Sequence, residues 1–355
     1  MQQARDGTFA GVTLAEPAPT TTEGRRPARS LIIVAGSGRS GTSLVSGLLQ
    51  RLGAHVPEPE VPADDSNPRG FAESQWVVDF HTKLLRRARM QLSDARPAAW
   101  AQTAPIGLDV EIRAQVHRFL TRQFRLADDV LIKDPRITWF LPLWRRVATE
   151  LDATPRVIMM LRHPAAVVSS KQTHYEGAQG ELSRAAEWIN QTLFTERATR
   201  DVPRAILRYS RLLEDWTSAI ASVADTLDLA VVRDAPASAI RSAHEFIDPE
   251  LDRSPPEWGA VPVALRELAE AVWEEMTRPE QDAGRLDELR AAYTRLYQDA
   301  EGIAFSSILA GVDNPPAPRR PLPQRARRML RRIPKPIQRA VPRSMRVRIL
   351  RELRR

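Results

Sequence analysis

A glycine-rich segment from Gly36 to Ser43 holds the residues whose spacing most clearly predicts chemistry. Its frame is a glycine, four residues, a second glycine and two hydroxyl residues, placed between an apolar β-branched run and a leucine-rich run. Glycines let backbone N–H groups curl around an oxyanion, and the N-terminus of a following helix adds partial positive charge. The segment therefore predicts a phosphate-binding loop between a strand and a helix, with an ordinary strand–helix turn as the structural alternative.

The cations around this loop differ from those of a nucleoside triphosphatase. Thr42 stands where such a loop carries the lysine that reaches the β- and γ-phosphates. Arg39 lies inside the loop instead, where a cation can reach the atom that joins a phosphate to its leaving group. We therefore expect a phosphate-containing donor that is not a triphosphate.

The run from Ser37 to Ser43 resembles the 5′-phosphosulfate loop of the sulfotransferases that use 3′-phosphoadenosine 5′-phosphosulfate (PAPS). That loop typically has a proline where this chain has Gly38 and a second threonine where it has Ser43. The resemblance implies that PAPS is the co-substrate. It assigns donor binding to the loop residues Gly38, Arg39, Ser40, Gly41, Thr42 and Ser43.

Arg162 and Ser170 form a second motif that resembles the same family. They are similar to its 3′-phosphate site, in which an arginine at a strand end is followed eight residues later by a serine in the next helix. Arg162 would leave the carboxyl end of its strand, where open α/β sheets bind ligands, and Ser170 would reach the same phosphate from the helix. A surface ion pair and a solvated hydroxyl are the structural alternatives.

Lys133 and Tyr209 extend the resemblance to about residue 229. The run from Ile132 to Pro135 resembles the strand end of the protein-tyrosine sulfotransferase branch, whose lysine stabilises the transferring sulfuryl group. Tyr209 resembles the family's tyrosine near the adenine, although Ser210 replaces the usual acid. We predict that Lys133 and Arg39 are catalytic, since the resemblance gives this role to the lysine and Arg39 lies inside the loop. A sulfuryl group carries less charge than a phosphoryl group, so these two cations are expected to take the place of Mg²⁺.

Glu73 is our candidate for the general base that takes the proton of the acceptor. It follows the first predicted helix, where the protein-tyrosine branch carries its catalytic glutamate; an acid placed by the dipole of a helix's first turn is the alternative. Asp134 and His174 are rival bases. The sequence of Asp134 followed by proline is typical of a helix N-cap, which favours a structural role. We expect His163 to be a packing residue.

The elements that must position these residues are short apolar runs alternating with helical patterns. Strands are predicted over residues 31–35, 130–133, 156–162 and 205–209, and inserted helices over 74–125 and 260–310. This alternation indicates a three-layer α/β fold, in which helices cover both faces of a parallel sheet. The predicted organisation is a flexible leader over 1–29, one α/β domain over 30–312 and a basic tail over 313–355.

Composition excludes several classes of site. The 355 residues include no cysteine, which excludes disulfides, zinc–thiolate sites, iron–sulfur clusters and cysteine nucleophiles. The six histidines are scattered, so no local zinc motif is present. No run has the apolar length of a signal peptide or a membrane-spanning helix, which predicts a cytoplasmic protein.

The net charge of +8 comes from the C-terminal tail. Residues 315–355 carry fifteen basic residues against a single acid, Glu352. Amphipathic basic helices are predicted over 325–333 and from 344 onward, so residues 319–355 are expected to bind an anionic surface at the inner face of the membrane. A polyanion partner and a disordered solubilising tail are the alternatives. The rest of the chain is mildly acidic, so specific nucleic-acid recognition is not expected.

Three functions of the protein are compatible with these motifs to different degrees. The first is a PAPS-dependent sulfotransferase that acts on a hydroxyl or amine of a small-molecule, glycan or lipid-linked acceptor. A P-loop kinase would need Mg²⁺ and a loop lysine, for which the sequence supplies Thr42. A non-catalytic nucleotide-fold scaffold predicts degraded phosphate-binding residues, whereas Arg39, Lys133, Arg162 and Ser170 are all present. The sequence favours the sulfotransferase.

Overall fold

The computed structural model describes residues 29–64, 67–174, 180–248 and 257–313. Residues 1–28 of the predicted leader and 314–355 of the predicted tail lie outside these described residues, while Arg29 begins the first strand and Asp313 ends the last described helix. The chain divides into two units after Tyr297. The first unit contains the sheet, and the second is described only as the helical backbone of residues 298–313.

Four parallel strands form the centre of the first unit. They are β1 (Arg29–Ala35), β2 (Asp129–Lys133), β3 (Ala153–Leu161) and β4 (Arg204–Arg208), in the order β2-β1-β3-β4. In β1, Leu31 is in register with Val130 of β2 on one side and with Pro155 of β3 on the other. The predicted parallel sheet is confirmed, and the predicted strands begin and end within three residues of these bounds.

Side chains of β1 alternate between two hydrophobic clusters on opposite faces of the sheet. Leu31 and Ile33 belong to one cluster, and Ile32 and Val34 to the other. All four are at most 1% exposed. A strand that is buried on both faces needs an unbroken apolar run rather than an alternating pattern, which explains why residues 31–35 are all apolar.

Helices cover both faces of this sheet. In the described residues they are α1 (Thr42–Leu52), α2 (Gln75–Arg87), α3 (Trp100–Leu108), α4 (Val110–Gln123), α5 (Leu141–Glu150), α6 (Pro164–His174), α7 (Glu181–Arg197), α8 (Tyr209–Glu214), α9 (Trp216–Leu227), α10 (Ala230–Arg233), α11 (Ala237–Phe246), α12 (Val263–Met276) and α13 (Ala283–Asp313). A 3-10 helix, Pro135–Phe140, joins β2 to α5. Within the described part of the chain, every helix is too short or too polar to span a bilayer.

The packing of these helices divides between the two sides of the sheet. Apolar residues of α2, α4 and α5 pack with Leu31 and Ile33, whereas those of α1, α9 and α11 pack with Ile32 and Val34. A third cluster joins the end of β3 to α6, α7, α12 and α13. Trp139 and Trp144, expected in the core, are 2% and 0% exposed. The three-layer arrangement predicted from the sequence is confirmed.

Candidate active site

The carboxyl ends of all four strands lie along one edge of the sheet because every neighbouring pair is parallel. The segment after β1 is the glycine-rich loop, and β2 ends at Lys133. Arg162 directly follows β3, and Tyr209 directly follows β4 as the first residue of α8. The fold therefore gathers at one edge residues that are up to 170 positions apart in the chain.

The glycine-rich loop connects β1 to α1, as predicted, and two of its glycines are required by the backbone. Gly36 has φ 148° and Gly41, the N-cap of α1, has φ 91°. A Cβ at Gly36 would lie 2.6 Å from the carbonyl oxygen of Met160, and one at Gly41 would overlap the ring of Tyr209. Arg39 also has a positive φ, 71°, so the loop turns tightly at three of its positions.

The hydroxyls of this loop fit a bound oxyanion. The Ser40 hydroxyl is buried and makes no hydrogen bond within the described part of the chain. A buried hydroxyl without a partner loses free energy unless a ligand or water supplies one. Thr42 is the first residue of α1, whose first turn contains no acidic residue. The positive end of the helix dipole and the Ser40 hydroxyl are therefore both suited to the phosphate predicted here.

Arg39, Arg162, Ser170 and Tyr209 meet beside the loop. The Arg39 side chain donates from Nε to the Ser170 hydroxyl at 3.1 Å, and Arg162 donates from Nη1 to the Arg39 carbonyl oxygen at 3.2 Å. The guanidinium of Arg162 lies 4.6 Å from the centre of the Tyr209 ring. The residues predicted for the 3′-phosphate and the adenine are thus neighbours of the loop, and their roles stay predictions.

Lys133 and Glu73 form a buried ion pair at the other end of the loop. The Lys133 ammonium also donates to the Ser43 hydroxyl at 2.7 Å and to the carbonyl oxygen of Phe71 at 3.2 Å, so its three hydrogens all have acceptors. Ser74 is the N-cap of α2, and Glu73 therefore lies before the helix, not in its first turn. The alternative prediction, that Glu73 is an acid in the first turn of a helix, is wrong because α2 begins at Gln75, two residues later.

Burial controls the acidity of Glu73. Loss of solvent raises the pKa of this carboxyl above its usual range, and the positive charge of Lys133 offsets only part of that effect. The exposed fraction of the Glu73 side chain is 8%. A carboxylate with a raised pKa accepts a proton more readily, which is the property that a general base requires.

Asp134 does not have the geometry of a base. It is fully buried, and its two carboxylate oxygens accept hydrogen bonds from the Arg136 backbone and side chain and from His81 at 2.7 Å. The Trp144 indole donates to the other nitrogen of His81 at 2.7 Å. Because an indole nitrogen only donates, His81 must carry its proton on Nδ1 and give it to Asp134. Asp134 is the N-cap before Pro135, as the sequence favoured.

The two remaining histidine candidates lie apart from this pair. His163 lies 3.1 Å from a carboxylate oxygen of Glu270 and packs edge-on against Trp273, which fits the packing role expected of it. His174 is the last residue of α6, and its side chain lies outside the described residues. Glu73 is therefore the candidate base that the described residues favour.

Sequence reasoning missed Lys171 and Glu187, which form a second buried ion pair under the loop. Lys171 donates to both carboxylate oxygens of Glu187, at 2.6 and 2.5 Å, and to the Ser37 hydroxyl at 3.0 Å. Their side chains are 4% and 1% exposed. The available signal was an acid between alanines and a tryptophan in α7, where an apolar face would be expected.

Comparisons with known proteins bear on this site. A sequence model described as the sulfotransferase family matches residues 31–234, more than half of the chain. The sulfotransferase domain from the Synechococcus PCC 7002 olefin synthase is 18% identical, with a TM-score of 0.39 over 74% of this chain and 94% of that one. The sulfotransferase domain from the curacin biosynthetic pathway is 12% identical, with a TM-score of 0.35 over 74% and 96%. No curated protein sequence matches.

Proposed function

The chain belongs to the sulfotransferase family, and we propose that it transfers the sulfuryl group of PAPS to a hydroxyl or amine of its acceptor. The observation that supports PAPS as the donor is that Arg39, Ser170 and Arg162 lie together beside the glycine-rich loop. This arrangement offers two anion sites, one at the loop and one at Arg162 and Ser170. A nucleotide with a 5′- and a 3′-phosphate suits such a pair of sites.

The donor contacts follow from these positions. The backbone amides of Gly41, Thr42 and Ser43 bind the 5′-phosphate, together with the hydroxyls of Ser40, Thr42 and Ser43. The Ser40 amide already donates to the carbonyl oxygen of Ser37 at 3.1 Å. Arg162 and Ser170 bind the 3′-phosphate, while Tyr209, already against the Arg162 guanidinium, borders the adenine. Cations and helix N-termini are the groups that bind phosphates most strongly in proteins.

The transfer step uses Arg39 from within the loop and the pair of Lys133 and Glu73 beside Ser43. Glu73 takes the proton of the acceptor hydroxyl as its oxygen bonds to sulfur, and the bond from sulfur to the 5′-phosphate oxygen breaks to release 3′,5′-ADP. Lys133 and Arg39 stabilise the negative charge on the sulfuryl and leaving oxygens. Removing one such donor of transition-state stabilisation typically costs about 10²–10³ in kcat.

Thermal unfolding of the purified chain tests the donor. We expect 3′,5′-ADP to raise the melting temperature equally in Mg²⁺ and in EDTA, since a ligand at a hundred times its dissociation constant stabilises by about 2.7 kcal/mol. Arg162→Ala should remove the shift, whereas Arg211→Ala, an arginine paired on the surface of α8, should keep it. A shift with Mg-ATP alone would replace this proposal with a kinase, and no shift with either ligand would favour a scaffold.

The acceptor and the location of the protein are part of the same proposal. We propose a small-molecule, glycan or lipid-linked acceptor and peripheral attachment to an anionic inner membrane surface through residues 319–355, which lie outside the described residues. Co-sedimentation of the full chain with phosphatidylglycerol vesicles tests the attachment. Binding should fall as salt rises and should be absent from neutral phosphatidylcholine vesicles.

A further inference from the structure

A cavity of about 460 Å³ opens on the flank of the first unit, between α3, α5, α7 and α13. Most of its walls are apolar, and the large side chains among them include Trp100, Trp139, Phe140, Leu143, Leu193 and Phe194. Binding sites for small molecules typically have volumes of roughly 300–1,000 Å³ and walls of this kind. Two of the lining residues, Trp100 and Leu108, are 42% and 68% exposed, so apolar surface continues from the cavity into solvent.

Three arginines also line the cavity, and the described lining residues include no acid. Arg290 donates from Nη2 to the carbonyl oxygen of Leu193 at 2.8 Å and pairs with Asp287 and Glu196, so its charge is already partnered. Arg146 is about half exposed and pairs with Glu150 one turn along α5, at 3.0 Å. Arg197 is exposed at the end of α7. Positive charge at the margin of an apolar cavity favours a ligand that carries an anion on an apolar body.

The cavity is separate from the candidate active site. None of the residues assigned to the donor or to the transfer step is among the described residues that line it. One connection runs through Phe140, which lines the cavity and stacks on His81, with ring centres 5.1 Å apart. His81 in turn bonds Asp134, the neighbour of Lys133.

We propose that this cavity is a second ligand site, which binds a small amphiphile with an apolar alkyl or aromatic body and one anionic head. The body lies between Trp100, Trp139 and Phe194, and the head meets Arg146 and Arg197. A carboxylate and a sulfate ester share this chemistry. The proposal is independent of the proposed function, because it uses neither the donor nor the transfer residues.

Titration of the full chain with decanoate and, separately, with decyl sulfate tests the site, with tryptophan fluorescence as the readout below the micellar concentration of each. Saturable 1:1 binding of either probe supports the proposal, and binding of neither overturns it. Trp100→Phe should reduce the fluorescence change without abolishing binding measured by calorimetry. The assay contains no PAPS, so its outcome stands whether or not the chain uses that donor.

Gly107 offers a way to close the cavity. It lies in α3 and lines the cavity, and the nearest atom to a Cβ built there is Cβ of Leu143, another lining residue, 4.0 Å away. Gly107→Phe should weaken decanoate binding at least tenfold, whereas Gly107→Ala should bind within about twofold of the original chain. Ala104→Trp, from the preceding turn of the same helix, provides a second filling variant if Gly107→Phe does not fold. Unchanged binding by a folded filling variant overturns the proposal.

The proposed contact between the anionic head group and the protein is tested by replacing Arg146 and Arg197. Arg146→Gln with Arg197→Gln should weaken decanoate binding at least tenfold and leave decanol binding within about twofold, because decanol has no charge to lose. Arg118→Gln, on the exposed face of α4, is the matched control. Equal losses for decanoate and decanol, or displacement of decanoate by 3′,5′-ADP, would show that the site is not the separate anion-selective site proposed.

Discussion

Two buried lysine–glutamate pairs hold opposite ends of the same loop, yet they differ in how the carboxylate is used. Lys133 bonds one oxygen of Glu73, together with Ser43 and the carbonyl oxygen of Phe71. Lys171 bonds both oxygens of Glu187 and the hydroxyl of Ser37. The Glu73 side chain is 8% exposed and the Glu187 side chain 1%. The pair of Lys133 and Glu73 is therefore suited to proton transfer. The pair of Lys171 and Glu187 is fully enclosed and acts as a structural clamp on the other end of the loop.

The strongest test of this contrast is Glu73→Gln. The amide keeps the shape of the side chain but cannot take a proton, so kcat should fall by about 10²–10⁴. The affinity for 3′,5′-ADP, measured by calorimetry, should stay within about twofold. Glu111→Gln on the surface of α4 is the control and should leave kcat unchanged. A kcat within threefold of the original would remove Glu73 from the transfer step.

Breaking the other pair should affect stability instead. Lys171→Met leaves the Glu187 carboxylate buried without its partner, which should lower the free energy of unfolding by about 3–5 kcal/mol in urea denaturation. The double variant Lys171→Met with Glu187→Leu should recover most of that loss, because no uncompensated charge remains. Lys83→Met, on the exposed face of α2, serves as the control. If Lys171→Met were as stable as the original chain, the pair would not be a clamp.

The pH dependence of kcat/KM should separate the two glutamates. The proposed base Glu73 can take a proton only when it is ionised, so the rate should rise with pH through its pKa, which burial raises above the usual value for glutamate of about 4.5. Below that pKa the rate should fall about tenfold per pH unit. Glu187→Gln should keep this acid limb, and Glu73→Gln should lose it. An acid limb that survives in Glu73→Gln belongs to another group.

The smallest effects are expected at the two serines. Ser37→Ala removes one acceptor from Lys171 and should cost about 1 kcal/mol of unfolding free energy. Ser43→Ala removes an acceptor from Lys133 and a proposed phosphate ligand, so it should raise KM for PAPS several-fold. Melting curves and steady-state kinetics on both variants measure the difference. The contrast between the pairs would fail if Ser37→Ala raised KM as much as Ser43→Ala.

Much of the fold and part of the site could be predicted because the determining signals are local. The apolar run from Leu31 to Ala35, followed by a glycine frame, specifies a buried strand and a tight turn within fifteen residues. Parallel pairing then brings Lys133, Arg162 and Tyr209 to the same edge. The resemblance named these three residues, and their place at one edge follows because each lies at the end of a strand, where open α/β sheets bind ligands.

What the sequence did not reveal depends on contacts between distant segments. Lys171 and Glu187 are in different helices, and only packing shows that both side chains are buried and paired. The role of Asp134 depends on His81, 53 residues earlier, and no local pattern marks that histidine as its partner. Glu73 was correctly predicted to lie near the start of a helix. Whether it lies before the helix or in its first turn depends on where α2 begins.

The hydrogen bonds of His81 give this protein an internal spectroscopic reporter. Its Nδ1 proton is held by Asp134, its Nε2 accepts from Trp144, and the ring has no exposed surface. A ring proton so enclosed exchanges slowly with water, so a resonance of its own can persist in a proton NMR spectrum, well downfield of the amide region. Because Asp134 adjoins Lys133 in the chain, the position of that single line can report, without any label, on events at the end of β2.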